Sequence, residues 1–356
     1  MQFRHYLQPG FENLRQIELI EAANVVINKC LNVKPGESVA IVTDTMQSWR
    51  IAEALAMATN LAGAEYVLLC IKPRKSMYGP PEVTNPPKPI RGALKDADAA
   101  YLIGTTGLIW TDAVQEALKN GCRMLTSPGM SEDNFYRCIM IDYEAVWERT
   151  KRVHSYLVPG KHVRLTSPQG SNLTFEIGYR PLMRDEKAAK VVYQYPPLPN
   201  RKGIVSGPGE FDYLPAGVAA GGLREGTANG TLVIDGSLSR IGVLREPVTV
   251  TIRDGRLVES KGGFEEREFR AALDVFGDPN MYNLACIGIG TNPTAKFVGQ
   301  PNEDERVVGM CYFQFGDNYR IYGGYSKAVM YYVAQLTTPK LEIDGKVILE
   351  GGVLKV

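Results

Sequence analysis

Histidine is nearly missing from this chain of 356 residues: there are three, at positions 5, 154 and 162. A histidine-based metal site or a Ser-His-Asp triad needs histidines converging from several parts of a fold. One in the N-terminal arm and two near a single junction do not supply that. Other signatures are absent as well: GxGxxG behind a strand, GxxxxGK[ST], HExxH, CxxC and GxSxG. Their absence removes the usual dinucleotide, P-loop, zinc-peptidase, dithiol and nucleophile-elbow chemistries. The pair Gly288 and Gly290 has neither the third glycine nor the following helix of a dinucleotide fingerprint. Six cysteines, at 30, 70, 122, 138, 286 and 311, show no paired spacing, so reduced thiols are expected. Charge of one sign is also lacking. Forty basic residues against thirty-nine acidic leave a net charge of +1, so neither nucleic acid nor an anionic membrane is expected as a partner. No apolar run reaches the roughly 18 residues that would span a bilayer, and the first residues carry no apolar leader. A soluble, cytoplasmic protein acting on a small molecule is expected.

With 44% hydrophobic and 22% charged residues, the composition is globular, and the length suits two domains. Apolar residues at helical spacing predict a helix over residues 11–31. Beyond it, strands over 38–43, 66–71, 99–103 and 123–126 alternate with helices over 49–61 and 113–120. That alternation predicts a parallel, helix-covered sheet of the Rossmann type, with ligands expected beyond the strand ends at 43–45, 104–107 and 127–129. Near Val158-Pro159-Gly160 the pattern changes to short alternating strands cut by turns, including the hairpin signal Asp254-Gly255. The expectation is an α/β domain over 1–156 and an α+β domain of mostly antiparallel strands over 157–356, with a pocket between them. The Pro- and Gly-rich stretch 196–215 is too long for a plain connector and reads as a functional loop.

Residues 274–292 set Cys286 directly before the glycine-rich run Ile287-Gly288-Ile289-Gly290. A helix over 265–276, with Phe269, Ala272, Leu273 and Phe276 on one face, feeds into it and is stopped by Gly277-Asp278-Pro279. Glycines edging an apolar strand let backbone or ligand come close. The plain reading of Cys286 is a small buried apolar residue.

The second half carries a resemblance. The run GGFEEREFRAALDVFGDPNMYNLACIGIG (262–290), with GTLVIDG (230–236) before it and IDGKVILEGG (343–352) after it, resembles 2,5-dihydroxypyridine 5,6-dioxygenases, iron enzymes that open a pyridinediol ring. The spacing matches over about residues 230–345, while the first half is similar in general plan. The run GIGTNP (288–293) and the loop Gly207-Pro208-Gly209-Glu210 are shared with the thermophilic-type leucyl aminopeptidases, dinuclear metal enzymes of the same superfamily. The resemblance implies a thermophilic aminopeptidase-like fold and homo-oligomers. It also implies ligand positions, and there this chain departs from the pattern. Where the dioxygenases have their first iron-ligand histidine this chain has Cys286, and their His-x-Asp pair falls on Tyr331 and Val333. Their catalytic histidine falls on Trp110. Of the aminopeptidase residues, the loop glutamate is kept as Glu210, whereas the second glutamate becomes Cys286 and a histidine becomes Tyr312. Valine binds no metal, so the expectation is a protein without the family's iron and without another cofactor.

Three functions stay open on these residues. In the first, Cys286 is the nucleophile of a metal-free hydrolase of C–N bonds in a small aromatic or heterocyclic compound. Glu210, Tyr312 or Tyr331 would be its proton partner, Lys190 or Lys327 an auxiliary lysine, and the backbone around Gly288 and Gly290 the oxyanion donors. Asn292 and Thr106 would touch substrate, the plain reading of Asn292 being a turn cap. In the second, a changed set such as Glu210, Cys286 and Asp317 holds a metal. In the third, Trp110, Tyr312, Tyr319, Tyr322, Tyr331 and Tyr332 stack on a ring without chemistry, or are simply core.

Overall fold

A computed structural model describes residues 12–74, 84–157, 161–178 and 202–356. His5, the Val158-Pro159-Gly160 junction, Lys190 and residues 196–201 of the long loop lie outside the described residues. The apolar stripe that predicts the first helix is used only in part: Ala23, Val26, Ile27 and Leu31 are buried, whereas Ile17 is 56% exposed and Ile20 half-buried, and Leu19, Ala22 and Cys30 complete the buried face. It forms α1 (Glu12–Asn24), continued by a π-helical turn at Val25–Cys30. Then β1 (Ser38–Asp44), α2 (Trp49–Leu61), β2 (Glu65–Ile71), α3 (Lys88–Lys95), β3 (Ala99–Ile103), α4 (Asp112–Lys119), β4 (Arg123–Thr126) and α5 (Glu132–Ile139) alternate. The chain goes on through α6 (Tyr143–His154) and the hairpin β5 (His162–Thr166) and β6 (Asn172–Glu176). It then adds β7 (Phe211–Tyr213) to the first sheet. All five strands of that sheet run parallel in the order β2-β1-β3-β4-β7. Strands β1, β3 and β4 are buried almost throughout, which is why their sequences read as unbroken apolar runs.

By compactness the described residues up to Ile141, together with Gly203–Pro215, form one unit, and the rest, from Asp142 on, the other. The division thus falls ahead of α6 rather than at 156/157, and the Pro-Gly loop returns to the first unit. The reason is local: β7 takes its hydrogen bonds from β4, with Met124, Leu125 and Thr126 opposite Phe211, Asp212 and Tyr213.

The second unit continues with β8 (Val218–Gly222), β9 (Asn229–Ile234), β10 (Ser237–Leu238), β11 (Gly242–Val243), β12 (Val248–Arg253) and β13 (Arg256–Lys261). After α7 (Phe264–Asp274) come β14 (Leu284–Gly290), α8 (Pro301–Asp304), β15 (Cys311–Gly316), α9 (Tyr319–Tyr322), β16 (Tyr331–Leu336), β17 (Lys340–Ile343), β18 (Lys346–Glu350) and β19 (Val353–Leu354). Six strands make an antiparallel sheet in the order β11-β10-β16-β15-β14-β8. Eight make a second one, β13-β12-β9-β6-β5-β17-β18-β19. Asp254-Gly255 closes the β12–β13 hairpin with φ of 50° and 76°, the double positive φ of a type I′ turn. The two sheets share an apolar layer, where Phe175 of β6 meets Phe313 of β15 edge to face at 5.7 Å. Phe269 of α7 packs on Phe315 at 5.5 Å and on Tyr332 at 6.4 Å, and Leu273 is buried with it, whereas the helix ends at Asp274 and Phe276, expected on the same face, is exposed. Among the described residues no helix is long and apolar enough to cross a membrane.

Candidate functional site

Strand order in the first unit reverses between β1 and β3, the position where doubly wound sheets open a ligand crevice. Here the described groups fill most of the crevice, leaving a cavity of about 10 Å³ lined by Thr43, Asp44, Arg74, Gly104 and Thr106. The Asp44 Oδ2 accepts hydrogen bonds from Thr105 N at 2.6 Å and Thr105 Oγ1 at 2.9 Å, and its Oδ1 accepts from Met46 N at 3.0 Å. Thr106, expected to touch substrate, donates its hydroxyl to Arg74 O at 2.9 Å. Trp110 packs edge-on against Phe211 of β7 at 6.1 Å and joins the apolar layer over the sheet. The Glu210 carboxylate is exposed and folds back on its own loop, where Oε2 accepts from Ser206 N at 2.8 Å and Gly207 N at 2.9 Å. It belongs to the first unit, whereas Cys286 belongs to the second.

In the second unit, strand alternation divides the six-stranded sheet into two faces. One carries Phe313, Phe315 and Tyr332 and belongs to the apolar layer already described. By register the other carries Cys286 and Gly288 of β14, Tyr312 and Gln314 of β15, and Tyr331, Val333 and Gln335 of β16. The sequence-predicted Cys286, Tyr312 and Tyr331 therefore share a face, and Tyr332 stands on the opposite one. A register shift between Leu284 and Cys286 sets the thiol opposite Gln314, and the Cys286 Sγ donates to Gln314 Oε1 at 3.6 Å. Only a protonated thiol can make that bond. The Gln314 amide is pinned in turn, its Nε2 donating to Asp317 O at 2.9 Å. Cys286 and Gln335, at most 1% exposed, lie deep beneath this face.

The glycines on this face are filled by the protein itself. A Cβ on Gly288 would lie 2.2 Å from two ring carbons of Tyr312, and one on Gly290 would lie 2.1 Å from Val307 O. These positions require glycine because another part of the chain lies where a side chain would be. Asn292 is held firmly too: its Nδ2 donates to Ala216 O at 3.0 Å and its Oδ1 accepts from Thr294 N and Oγ1 at 2.9 and 2.8 Å. That is the turn-capping role. Tyr319 lies beneath the exposed Lys327, whose Nζ is 4.2 Å from the ring centroid. Tyr322 backs onto Gly222. Burial raises the pKa of Cys311 beyond the usual thiol range, as expected of a packing residue.

Two buried amides, Gln314 and Gln335, are not among the candidates the sequence marks. The signal was there, as each is the one long polar residue within an apolar strand, CYFQFG and YYVAQL. Gln335 Nε2 donates to Asp304 O at 2.9 Å, while its Oε1, buried on the thiol-bearing face, accepts no hydrogen bond among the described residues. Asp304, which Gln335 braces, fixes the 298–299 turn through Val298 N and Gly299 N and accepts from Ser237 Oγ at 2.7 Å.

The positions to which the resemblance carries the iron ligands are thus brought onto one face, but they present a thiol, a phenol and a valine. Among the described residues no group of three or more His, Cys, Asp or Glu side chains could hold a metal ion. Such a set does not fit ferrous iron, which takes two histidines and a carboxylate in enzymes of this kind.

A parallel five-stranded unit with an antiparallel two-sheet unit is a fold this chain shares with two solved structures. The structure superposes on that of 2,5-dihydroxypyridine dioxygenase from Pseudomonas putida with a TM-score of 0.73, at 20% identity over 95% of this chain and 97% of that one. AmpT from Thermus thermophilus follows at 0.65, with 13% identity over 96% of this chain and 100% of that one. At the level of sequence, residues 18–355 match the 2,5-dihydroxypyridine 5,6-dioxygenase family, and the chain belongs to it. The dioxygenase of Pseudomonas putida is 27% identical over 257 residues, 71% of this chain and 64% of its own length, just under two thirds of that relative.

Proposed function

We propose that this protein is an enzyme of the family whose substrate is a small nitrogen-containing ring compound and whose reactive group is the Cys286 thiol, not ferrous iron. The observation that carries this is the pairing of Cys286 with Gln314 where the family's iron would be held. Family membership supports the substrate class, since the relative's name specifies a dihydroxypyridine. A 2-hydroxypyridine is a tautomer of a cyclic amide, with a carbonyl carbon open to attack and an N–H to be recognised. Gln335 Oε1 is the unused acceptor for that N–H. The thiol adds through sulfur to the carbonyl carbon, and its proton passes to the ring nitrogen as the C–N bond breaks. Water then cleaves the thioester, giving a carboxylate and restoring the thiol, with no change of oxidation state. Gln314 keeps that proton on sulfur until the substrate nitrogen needs it.

The family match favours a second reading, oxygen-dependent ring opening with iron held by a changed ligand set. The donor set speaks against it. One experiment separates the two: purified protein is given 2,5-dihydroxypyridine and a panel of cyclic amides, with oxygen uptake and product followed in parallel. Product without oxygen uptake, lost in Cys286→Ala, is the expected outcome; iron-dependent oxygen uptake would overturn the thiol reading.

A further inference from the structure

The chain holds two Asn-Gly pairs, Asn120-Gly121 and Asn229-Gly230. Asparagine before glycine is chemically labile in water, because glycine has no Cβ to hinder attack of its backbone nitrogen on the preceding side-chain amide. The fold sets the two pairs in opposite circumstances. Asn229 lies inside β9, where its Oδ1 accepts from Asp254 N at 3.0 Å and its Nδ2 donates to Thr227 O at 3.3 Å. Gly230 is paired on both sides, with Leu173 of β6 and Ile252 of β12, and a Cβ there would lie 2.2 Å from Asn172 O. Side chain and backbone nitrogen can approach each other only if two strand ladders open.

Asn120 is the exposed residue that ends α4, and its side-chain amide has no hydrogen-bond partner among the described residues. Its ψ of 1° must rotate before Gly121 N can reach the amide carbon, and Gly121 N must leave Leu118 O, to which it donates at 3.0 Å. Only the last turn of a helix has to give way for that, and helix ends open at little cost. The same turn seats another segment. Gly209 N donates to Gly121 O at 3.0 Å, and a Cβ on Gly209 would lie 2.6 Å from Leu118 O, so the Gly207–Glu210 loop rests on this helix end without slack. Glu210 O in turn accepts from Met124 N at 2.8 Å, where β7 joins β4.

We infer that Asn120-Gly121 is a site of spontaneous deamidation in the folded protein, and that isoaspartate formed there unseats the Gly207–Glu210 loop. Gly121 N gives its proton to a base in solvent and bonds to Asn120 Cγ, and ammonia leaves with a proton from solvent, closing a succinimide ring. Water opens the ring at either carbonyl, giving aspartate or isoaspartate. The net change is hydrolysis of an amide to a carboxylate and ammonia, with no change of oxidation state. In isoaspartate the main chain runs through the former side chain and gains a methylene between the Cα at 120 and Gly121 N, which carries Gly121 O away from Gly209 N. The new carboxylate also stands at the C-terminal end of α4, where the helix carbonyls disfavour negative charge.

The test ages the full-length protein in mildly alkaline buffer, folded and in urea, and follows both asparagines by peptide mapping that separates aspartate from isoaspartate. Protection by the fold, the rate in urea over the rate in the folded protein, should be at least about tenfold greater at Asn229 than at Asn120. Equal protection at the two sites, or stronger protection at Asn120, would overturn the assignment. Amide exchange at Gly209 and Met124 should rise about tenfold as isoaspartate accumulates, and should not change on ageing in Asn120→Ser, which cannot form the ring. Unchanged exchange in converted wild type, or an equal rise in aged Asn120→Ser, would overturn the link to the loop.

Discussion

Cys286 and Gln314 face each other across β14 and β15, sulfur to amide oxygen at 3.6 Å, where the family resemblance would have an iron ligand. A register shift just before Cys286 creates the pair, so neither residue has this meaning in isolation. Gln314→Leu keeps the volume but removes the acceptor. We expect it to lower turnover at least tenfold while the protein remains folded, and Cys286→Ala to abolish turnover. Thermal melts alongside single-turnover assays check both.

Recognition depends on Gln335 in the same account. Replacing it by leucine removes the free acceptor on the thiol-bearing face and also the donor to Asp304. Loss of one neutral hydrogen bond to substrate is expected to raise KM about tenfold, equivalent to roughly 1.4 kcal/mol. Gln335→Glu should hurt a substrate that donates N–H less than Gln335→Leu does, and this order is the check.

Gly288→Ala is a packing prediction. The new methyl would meet the Tyr312 ring 2.2 Å away, and the ring is itself buried, so roughly 3 kcal/mol of destabilisation is expected. Urea unfolding of Gly288→Ala, Tyr312→Ala and the double variant should show strong coupling, the second change relieving much of the first.

In the first unit Arg123 is nearly buried and donates to Leu31 O at 2.8 Å, to Asn32 O at 3.1 Å and to the Glu37 carboxylate. Burial pushes the Glu37 carboxyl up, but the Arg123 hydrogen bond, the Lys34 N–H and the guanidinium charge together hold it below its ordinary value of 4.5. A depressed carboxylate stabilises the fold above its unfolded value, and that contribution is lost as the pH falls through the folded value. Glu37→Gln should therefore cost about 2 kcal/mol at pH 7 and progressively less below pH 4.5, as chemical denaturation across that range would show.

Much of the architecture is legible in the sequence, for physical reasons. Unbroken apolar runs such as Ala99–Ile103 set between helical segments suit a helix-covered parallel sheet, and Asp254-Gly255 favours a type I′ hairpin turn. β7 is not legible: Phe211–Tyr213 is three residues inside a Pro-Gly loop, and only its partner β4 makes it a strand. Candidate side chains are legible as types but not as neighbours. Cys286 stands out ahead of the glycine run, yet Gln314 becomes its partner through register alone. Gly288 reads as room for a ligand, and its space holds the Tyr312 ring. Thr106 and Asn292 read as substrate contacts, and each makes a structural hydrogen bond.

The most direct test of the central claim is the metal content of the purified protein, by elemental mass spectrometry before and after anaerobic loading with ferrous iron, with turnover measured on the same samples. Far less than one iron per chain in both samples, with turnover indifferent to loading and to chelators, is the expected result. One iron per chain, with activity that follows it, would contradict the thiol account and return the protein to oxygen-dependent ring cleavage.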